Sequence, residues 1–386
     1  MGYITQAVVI NFAPLLFVMF NREFNISYSA IGALLSVNFA VQITVDLLSV
    51  FFVDKLGYRR SAVISQFLCA AGFLLFPFLT YSLPSAYAGI FISTVIYSVG
   101  AGIIEIVINP IVASTPRESE SSSGALIFLH SFYCWGQLLV VLLTSVAIFL
   151  FSDASWGYIS VFWGMLPLIN GFLFTKTPIV PLPPEEKRER IGGLCTDPTF
   201  IILLAMMICA GGSEIAMSQW ASTFAQTALG VDKIIGDLLG PCLFALFMGI
   251  GRTIHGVFGA RLNITRHLYI NAVLCIVCYL VAALSRNSYF ALAGCAVCGY
   301  AISIMWPSIV EIAAQKFPDG SGAMYGAVAI FGDVGCSAGA FFTGLIASMS
   351  VWGEYGFKVG LGTNIIYPIA FIVLLTVLQR KMHRPL

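Results

Sequence analysis

Gly102-Ile-Ile-Glu105-Ile-Val-Ile-Asn109-Pro110 and Gly299-Tyr-Ala-Ile-Ser303-Ile-Met-Trp306-Pro307 are two copies of one phrase, about half a chain apart. Each sets glycine eight residues before proline inside a long apolar segment. The spacing predicts a broken helix in each copy and two related membrane halves. The first copy also places a carboxylate, Glu105, where a bilayer would be. Charge is costly there, so an intramembrane acid marks a functional site by default.

The composition fixes the class. Hydrophobic residues make up 59% of the 386, charged residues 10%, and mean hydropathy is +0.93. A soluble domain carries roughly 25% charged residues on its surface. This chain must therefore use lipid as solvent, where helices or closed barrels alone satisfy their backbone. Its apolar runs of about 18 to 28 residues lack strict alternation, which selects helices. A net charge of +1 gives no reason to expect a nucleic-acid partner.

Twelve spans are expected, near 3–20, 27–53, 61–80, 85–115, 125–150, 155–175, 199–226, 231–258, 267–285, 288–316, 323–349 and 357–380. With the N-terminus inside, the only lysines and arginines left outside are Arg22, Lys233, Arg286 and Lys358, of 19 in the chain. Both termini are thus expected in the cytoplasm, in a multi-pass inner or plasma membrane protein. The first apolar segment reads as span 1 rather than a cleaved signal peptide. A Pro- and charge-rich stretch, 176–198, separates an N-terminal bundle over 1–175 from a C-terminal bundle over 199–386 and reads as a cytoplasmic linker. Two pseudo-symmetric six-helix halves imply a solute site between them, near the midplane.

A second repeat supports the division. Asp46-Leu-Leu-Ser-Val50-Phe-Phe-Val-Asp54-Lys55-Leu-Gly57-Tyr-Arg59-Arg60 ends span 2, and Arg252-Thr-Ile-His-Gly256-Val-Phe-Gly-Ala260-Arg261 ends span 8. Overlaying Lys55 on Arg261 puts Asp46 on Arg252. The Asp-Lys-x-Gly-Tyr-Arg-Arg run resembles the signature loop of the major facilitator superfamily, with Val50 where that superfamily usually has glycine. The resemblance spans the chain and implies the major facilitator fold, with Asp54, Lys55, Gly57, Arg59, Arg60, Arg252 and Arg261 as a gating loop and its repeat.

Four shorter segments are similar to the fucose permease-like sugar symporters and their relatives. They are Gly-x-Gly-x-x-Glu105-x-x-x-Asn109-Pro110, Ser303-Ile-Met-Trp306-Pro307-Ser-Ile309, His130-Ser-Phe-Tyr-Cys-Trp-Gly136 and Gly212-Ser-Glu214 with Trp220. The resemblance implies sugar contact at His130, where that family carries glutamine. Span 1 departs from the family pattern: Asn11 is kept, but no carboxylate follows it. Coupling must then use other groups or a different ion.

The remaining polar residues can be weighed one by one. Ser98, Gly102, Glu105 and Asn109 share one helical stripe, with Glu105 about 15 Å from the cytoplasmic end of its span at 1.5 Å per residue. There Glu105 can pick up a proton from one side and release it to the other, or serve as a structural anion held by a neighbouring helix. Asn38, Gln42 and Asp46 form a second stripe, lining a cavity or pairing with basic residues near the inner face. Arg252 reads as structural, near enough to the inner surface to snorkel. Glu214, in a Gly-Gly-Ser-Glu run that invites irregular backbone, and Asp333 each fit a ligand or an interhelical bond. Glu311 is expected to face water or a basic loop near a helix end. Trp306 suits stacking on a sugar ring or filling the gap beside a kink.

Two familiar soluble patterns mislead here. Cys275-x-x-Cys278 and Cys295-x-x-Cys298 have zinc-site spacing, but they lie inside apolar spans, so helix packing explains them and no metal is expected. Gly100-x-Gly102 follows no strand and is no nucleotide loop. No nucleophile with a matched base is evident, so neither an enzyme nor a cofactor is expected.

The expected activity is ion-coupled, alternating-access movement of a small polar solute, from the resemblance a monosaccharide or sugar derivative, driven by protons or sodium. Asn11, Asn109, His130, Glu214 and Trp306 would hold the solute, and Glu105, Asp46 and Asp333 would serve the ion. The partners are solute, ion and bilayer, with a monomer as the working unit. An exporter of hydrophobic or amphipathic compounds is the nearest alternative, and a membrane sensor a further one.

Overall fold

The computed structural model describes residues 1–26, 28–114, 125–152, 155–180, 191–231, 235–236, 238–258, 262–318, 322–347 and 349–382. Among these residues the regular structure is helical and no strand occurs. The helices run α1 Gly2–Leu15, α2 Phe17–Phe24, α3 Tyr28–Leu56, α4 Tyr58–Ser82, α5 Ala86–Ala113, α6 Ala125–Phe151, α7 Trp156–Lys176 and the short α8 Ile191–Leu194. The second series is α9 Pro198–Thr227, α10 Leu243–Phe258, α11 Ile264–Leu284, α12 Ser288–Ile302, α13 Met305–Lys316, α14 Gly322–Ala347, α15 Gly356–Thr363 and α16 Ile366–Met382.

Ten segments among the described residues are long and apolar enough to cross a membrane by length and composition. The other two expected spans are the first pair. Span 1 is divided at Leu16 into α1 and α2, and span 2 is the 29-residue α3. Pro14 has no N–H to give Ile10, which weakens the ladder there. The Leu16 N–H then turns back to the Ala13 carbonyl at 3.0 Å, a tighter turn that ends α1.

The two Gly-to-Pro phrases behave differently. α5 runs unbroken through Pro110, against the expected break. The second copy does break, between α12 and α13 at Ser303 and Ile304. Pro307 cannot donate to the carbonyl four residues back, which belongs to Ser303.

Two compact units are distinguished by their internal contacts. One comprises Met1–Pro116, Trp135–Arg188 and Ser321–Gly326, and the other Arg117–Cys134, Glu189–Gly320 and Ala327–Leu386. The α6 helix is therefore shared, its opening turns belonging to the second unit and the remainder to the first.

The first unit is built around Phe12, Phe20, Phe73, Phe76, Tyr97 and Trp156. The Phe73 and Tyr97 rings stack at 4.9 Å, and Trp156 meets Phe20 and Phe76 edge-on at 5.5 Å. Trp156 Nε1 reaches the Tyr81 hydroxyl at 3.1 Å, which satisfies its one polar atom. In the second unit the Tyr279 hydroxyl donates to the Ser213 carbonyl at 2.7 Å, and Asn364 Nδ2 donates to Thr343 Oγ1 at 2.7 Å. Side-chain caps start three helices there: Asp197 accepts from the Thr199 N–H, Asn263 from Arg266 and Asn287 from Tyr289. Cys275, Cys278, Cys295 and Cys298 are buried free thiols, with Cys275 Sγ 4.0 Å from Cys298 Sγ.

Candidate functional site

Glu105 is buried on α5, and Gln6 Nε2 of α1 donates to its Oε2 at 2.5 Å. Gln6 gives its other hydrogen to Gln42 Oε1 on α3 at 3.0 Å. Gln42 Nε2 continues to Asn38 Oδ1 one turn away at 3.0 Å, and the Ser98 hydroxyl of α5 donates to the same oxygen at 2.6 Å. The two stripes expected from spacing, on spans 2 and 4, thus meet directly at Ser98 and Asn38 and again through Gln6 of span 1. Asn109 extends the array: its Oδ1 accepts from the Tyr3 hydroxyl at 3.1 Å, and its Nδ2 donates to the Glu105 carbonyl at 3.2 Å. A membrane interior offers no water to polar groups, so they must find one another.

A second array braces α1 from behind. Gln66 Oε1 of α4 accepts from the Thr5 hydroxyl at 2.8 Å and from Asn170 Nδ2 of α7 at 3.0 Å. Thr5 and Gln6 are adjacent, so α1 is held on both sides. Asp46 lies one turn beyond Gln42 on α3, 1% exposed. Asn11 is half-buried on α1, and its Nδ2 donates to the Ala7 carbonyl of its own helix at 2.9 Å.

The second unit centres on Arg252 of α10, 2% exposed. Its Nη2 pairs with Glu214 Oε2 of α9 at 2.8 Å. Nε donates to the Ser303 carbonyl at 2.8 Å, and Nη1 to the His130 carbonyl of α6 at 3.3 Å. The Ser303 oxygen is the one that Pro307 leaves without a helical donor, so the guanidinium fills a gap that the proline makes. Gly251 lets α10 come this close, since a Cβ there would collide with the Ser303 side chain. Arg252 is therefore an interior cross-link and does not snorkel. Two further expectations are corrected nearby. α9 passes through Gly211–Glu214 as continuous helix, and Glu311 is buried, accepting from Gln315 Nε2 at 3.2 Å.

Trp306, partly buried at the start of α13, lies across Gly332 of α14, where any Cβ would enter its ring. Asp333 follows Gly332 and is buried. His130 is buried at 3% exposure. In the expected gating loop, Gly57 has φ +82, a value glycine adopts without strain. Lys55 and Arg60 are exposed, and Arg59, also exposed, donates from Nη1 to the Thr175 carbonyl of α7 at 2.7 Å. The Asp54 side chain and Arg261 lie outside the described residues.

Sequence reasoning missed Gln6, Tyr3, Thr5, Gln66 and Asn170. Tyr3 and Gln6 did carry a signal, being polar and three apart on one face of an apolar span.

A multi-helix membrane bundle with buried, hydrogen-bonded polar groups on its broken and proline-bearing spans has the form of a solute transporter. The sequence profile of the Major Facilitator Superfamily matches residues 1–340, and the chain belongs to that superfamily of membrane transporters. No curated protein sequence matches it. Among solved structures it is similar to a single-residue variant of the E. coli fucose:proton symporter FucP, with TM-score 0.74 and 15% identity over 100% of this chain and 97% of that one. A second structure of FucP, in the outward conformation, gives 0.76 and 17% over the same shares. The proton:xylose symporter XylE bound to 6-bromo-6-deoxy-D-glucose gives 0.77 and 15% over 98% and 93%. At these identities the likeness is one of fold.

Proposed function

We propose that this chain is a sugar:proton symporter working by alternating access, with Glu105 as the proton carrier. The observation that supports it most is the placement of Glu105. It is a buried carboxyl in a proline-bearing span, tied through neutral amides to two other spans. An amide donor such as Gln6 holds a carboxyl in its charged form less firmly than a cation at the same oxygen would. The Gln6 contact is an N–H donor, which suits a carboxyl that cycles between charged and neutral better than it suits a sodium cage of oxygens.

Two bundles, 1–175 and 199–386, joined by a cytoplasmic linker over 176–198, would rock about the site as a monomer in the plasma or inner membrane, both termini inside. Asn11, Asn109, His130, Glu214 and Trp306 are the solute-binding candidates. Asp46 and Asp333 are the further acids open to the ion. The fold neighbours are a fucose:proton symporter and a proton:xylose symporter, which puts monosaccharides first among solutes.

The direct test is thermal unfolding of the purified protein in detergent against a monosaccharide panel. A ligand bound only by the folded state raises the melting temperature with concentration. A selective rise with one hexose, deoxyhexose or pentose supports the reading. No rise with any sugar, together with a rise from another solute class, overturns the sugar assignment and leaves the fold untouched.

A further inference from the structure

Gln6 stands at the centre of the polar chain and is used there in one orientation. Both hydrogens of Nε2 are given away, one to Glu105 Oε2 and one to Gln42 Oε1. Its own Oε1 is buried and has no hydrogen-bond partner among the described residues. Beyond it, Gln42 Nε2 and the Ser98 hydroxyl both point at Asn38 Oδ1. Every bond in the chain therefore has a direction, and at its Glu105 end the chain supplies a donor to an accepting oxygen.

A carboxylate only accepts, whereas a protonated carboxyl brings a donor. A carboxamide answers either state, because half a turn about its last torsion exchanges two donors for an acceptor. The unused Gln6 Oε1 is the acceptor that a proton on Glu105 Oε2 needs.

Resting on the reading of Glu105 as proton carrier, we infer that Gln6 is the positioning residue that reads its protonation state, turning its carboxamide by half a turn when Glu105 takes up a proton. Oε1 then accepts from the Glu105 O–H and from Gln42 Nε2. Gln42 and Asn38 turn with it, so that Asn38 Nδ2 donates to Gln42 Oε1 and to the Ser98 oxygen. The Ser98 hydrogen passes to a carbonyl of its own helix, a bond serine makes readily. Four bonds between side chains exist before and four after, the Ser98 bond to its own helix is added, and Gln6 Nε2 takes the buried place that Oε1 held; one proton enters and no covalent bond but the new O–H forms. The event on span 4 is thereby passed to spans 1 and 2 and returned to Ser98, two turns along α5.

Few titratable groups face this chain within the same unit. α1 brings Tyr3, bonded to Asn109, and α3 brings Asp46, one turn from Gln42. α4 brings Cys69, whose Sγ is directed to the Tyr97 carbonyl at 3.5 Å. Asp46 is the one other carboxyl among the described residues of these helices near the chain, and any test must separate it from Glu105.

Infrared difference spectra between alkaline and acidic pH, taken on the purified full-length protein, make that separation. A carboxyl gaining a proton gives a C=O band in a clear spectral window, and a carboxamide carbonyl that begins to accept a bond shifts to lower frequency. The expected result is a carboxyl band lost in Glu105→Gln and kept in Asp46→Asn. With it should come a carboxamide shift lost in Gln6→Met while the carboxyl band persists. If Gln6→Met does not fold, Gln42→Met serves, and the shift should lose intensity. A carboxyl band unchanged in Glu105→Gln removes Glu105 as the carrier and the relay with it. A carboxyl band that depends on Glu105, beside a carboxamide shift indifferent to Gln6 and Gln42, overturns the relay alone.

Discussion

Arg252 and Glu214 form an ion pair at 2.8 Å, with both side chains almost wholly withdrawn from solvent. Two further guanidinium donors go to main-chain carbonyls, Nε to Ser303 at the helix break and Nη1 to His130. The Ser303 carbonyl is the one of these acceptors that a proline leaves without its helical donor.

Removing one partner leaves the other charge buried and unmatched, which costs about 3–5 kcal/mol. Arg252→Met and Glu214→Met should each lower the melting temperature sharply in detergent. The double variant Arg252→Met/Glu214→Met should recover part of the loss, because two charges then leave the interior together. A double variant as unstable as the sum of the singles would show that the pair is not the unit that matters.

Gly332 and Trp306 make a packing pair with no room between them. Gly332→Ala must displace the indole, and overpacking of this kind costs about 1–3 kcal/mol. Trp306→Leu in the same chain should restore stability, since the smaller side chain clears the added methyl. Tryptophan fluorescence of Gly332→Ala should shift as well; an unchanged spectrum and unchanged stability would contradict the contact.

Asp197 caps α9, accepting from the Thr199 and Phe200 main-chain N–H groups at 2.5 and 3.4 Å. Partial burial works against its charge, but the bonds from Thr199 and then Phe200 outweigh it and hold its carboxyl below its ordinary value. A depressed acid stabilises the fold above the unfolded value of about 3.9. That contribution is present at neutral pH and is lost as pH falls through the lower folded value. Asp197→Ala should cost about 0.5–2 kcal/mol at neutral pH and less in strong acid. A difference from the parent that does not shrink on acidification would reject the cap as its source.

Much of this architecture was legible in the sequence, for a physical reason. Apolar length is a local property, so the span positions could be read directly, and the signature loop after span 2 pointed to the superfamily. Polar partners across helices are not local. Glu105, Asn38 and Gln42 stood out as polar residues in apolar runs, but nothing in their spacing says that Gln6 joins them. Arg252 was misjudged because distance from the bilayer surface was counted without the proline-freed carbonyl of Ser303. The same phrase broke in one half and not in the other. Glycine-to-proline spacing alone does not tell which copy has a buried donor waiting for the orphaned oxygen.

The central claim is that the proton rides on Glu105. Glu105→Gln keeps the size and the accepting oxygen of the side chain and removes its charge. In proteoliposomes with an imposed pH gradient it should abolish uphill accumulation of the sugar picked out by the stability panel, while counterflow exchange of that sugar stays measurable. Retained pH-driven accumulation in Glu105→Gln would contradict the account and move the coupling to another acid, with Asp46 and Asp333 the next to be tested.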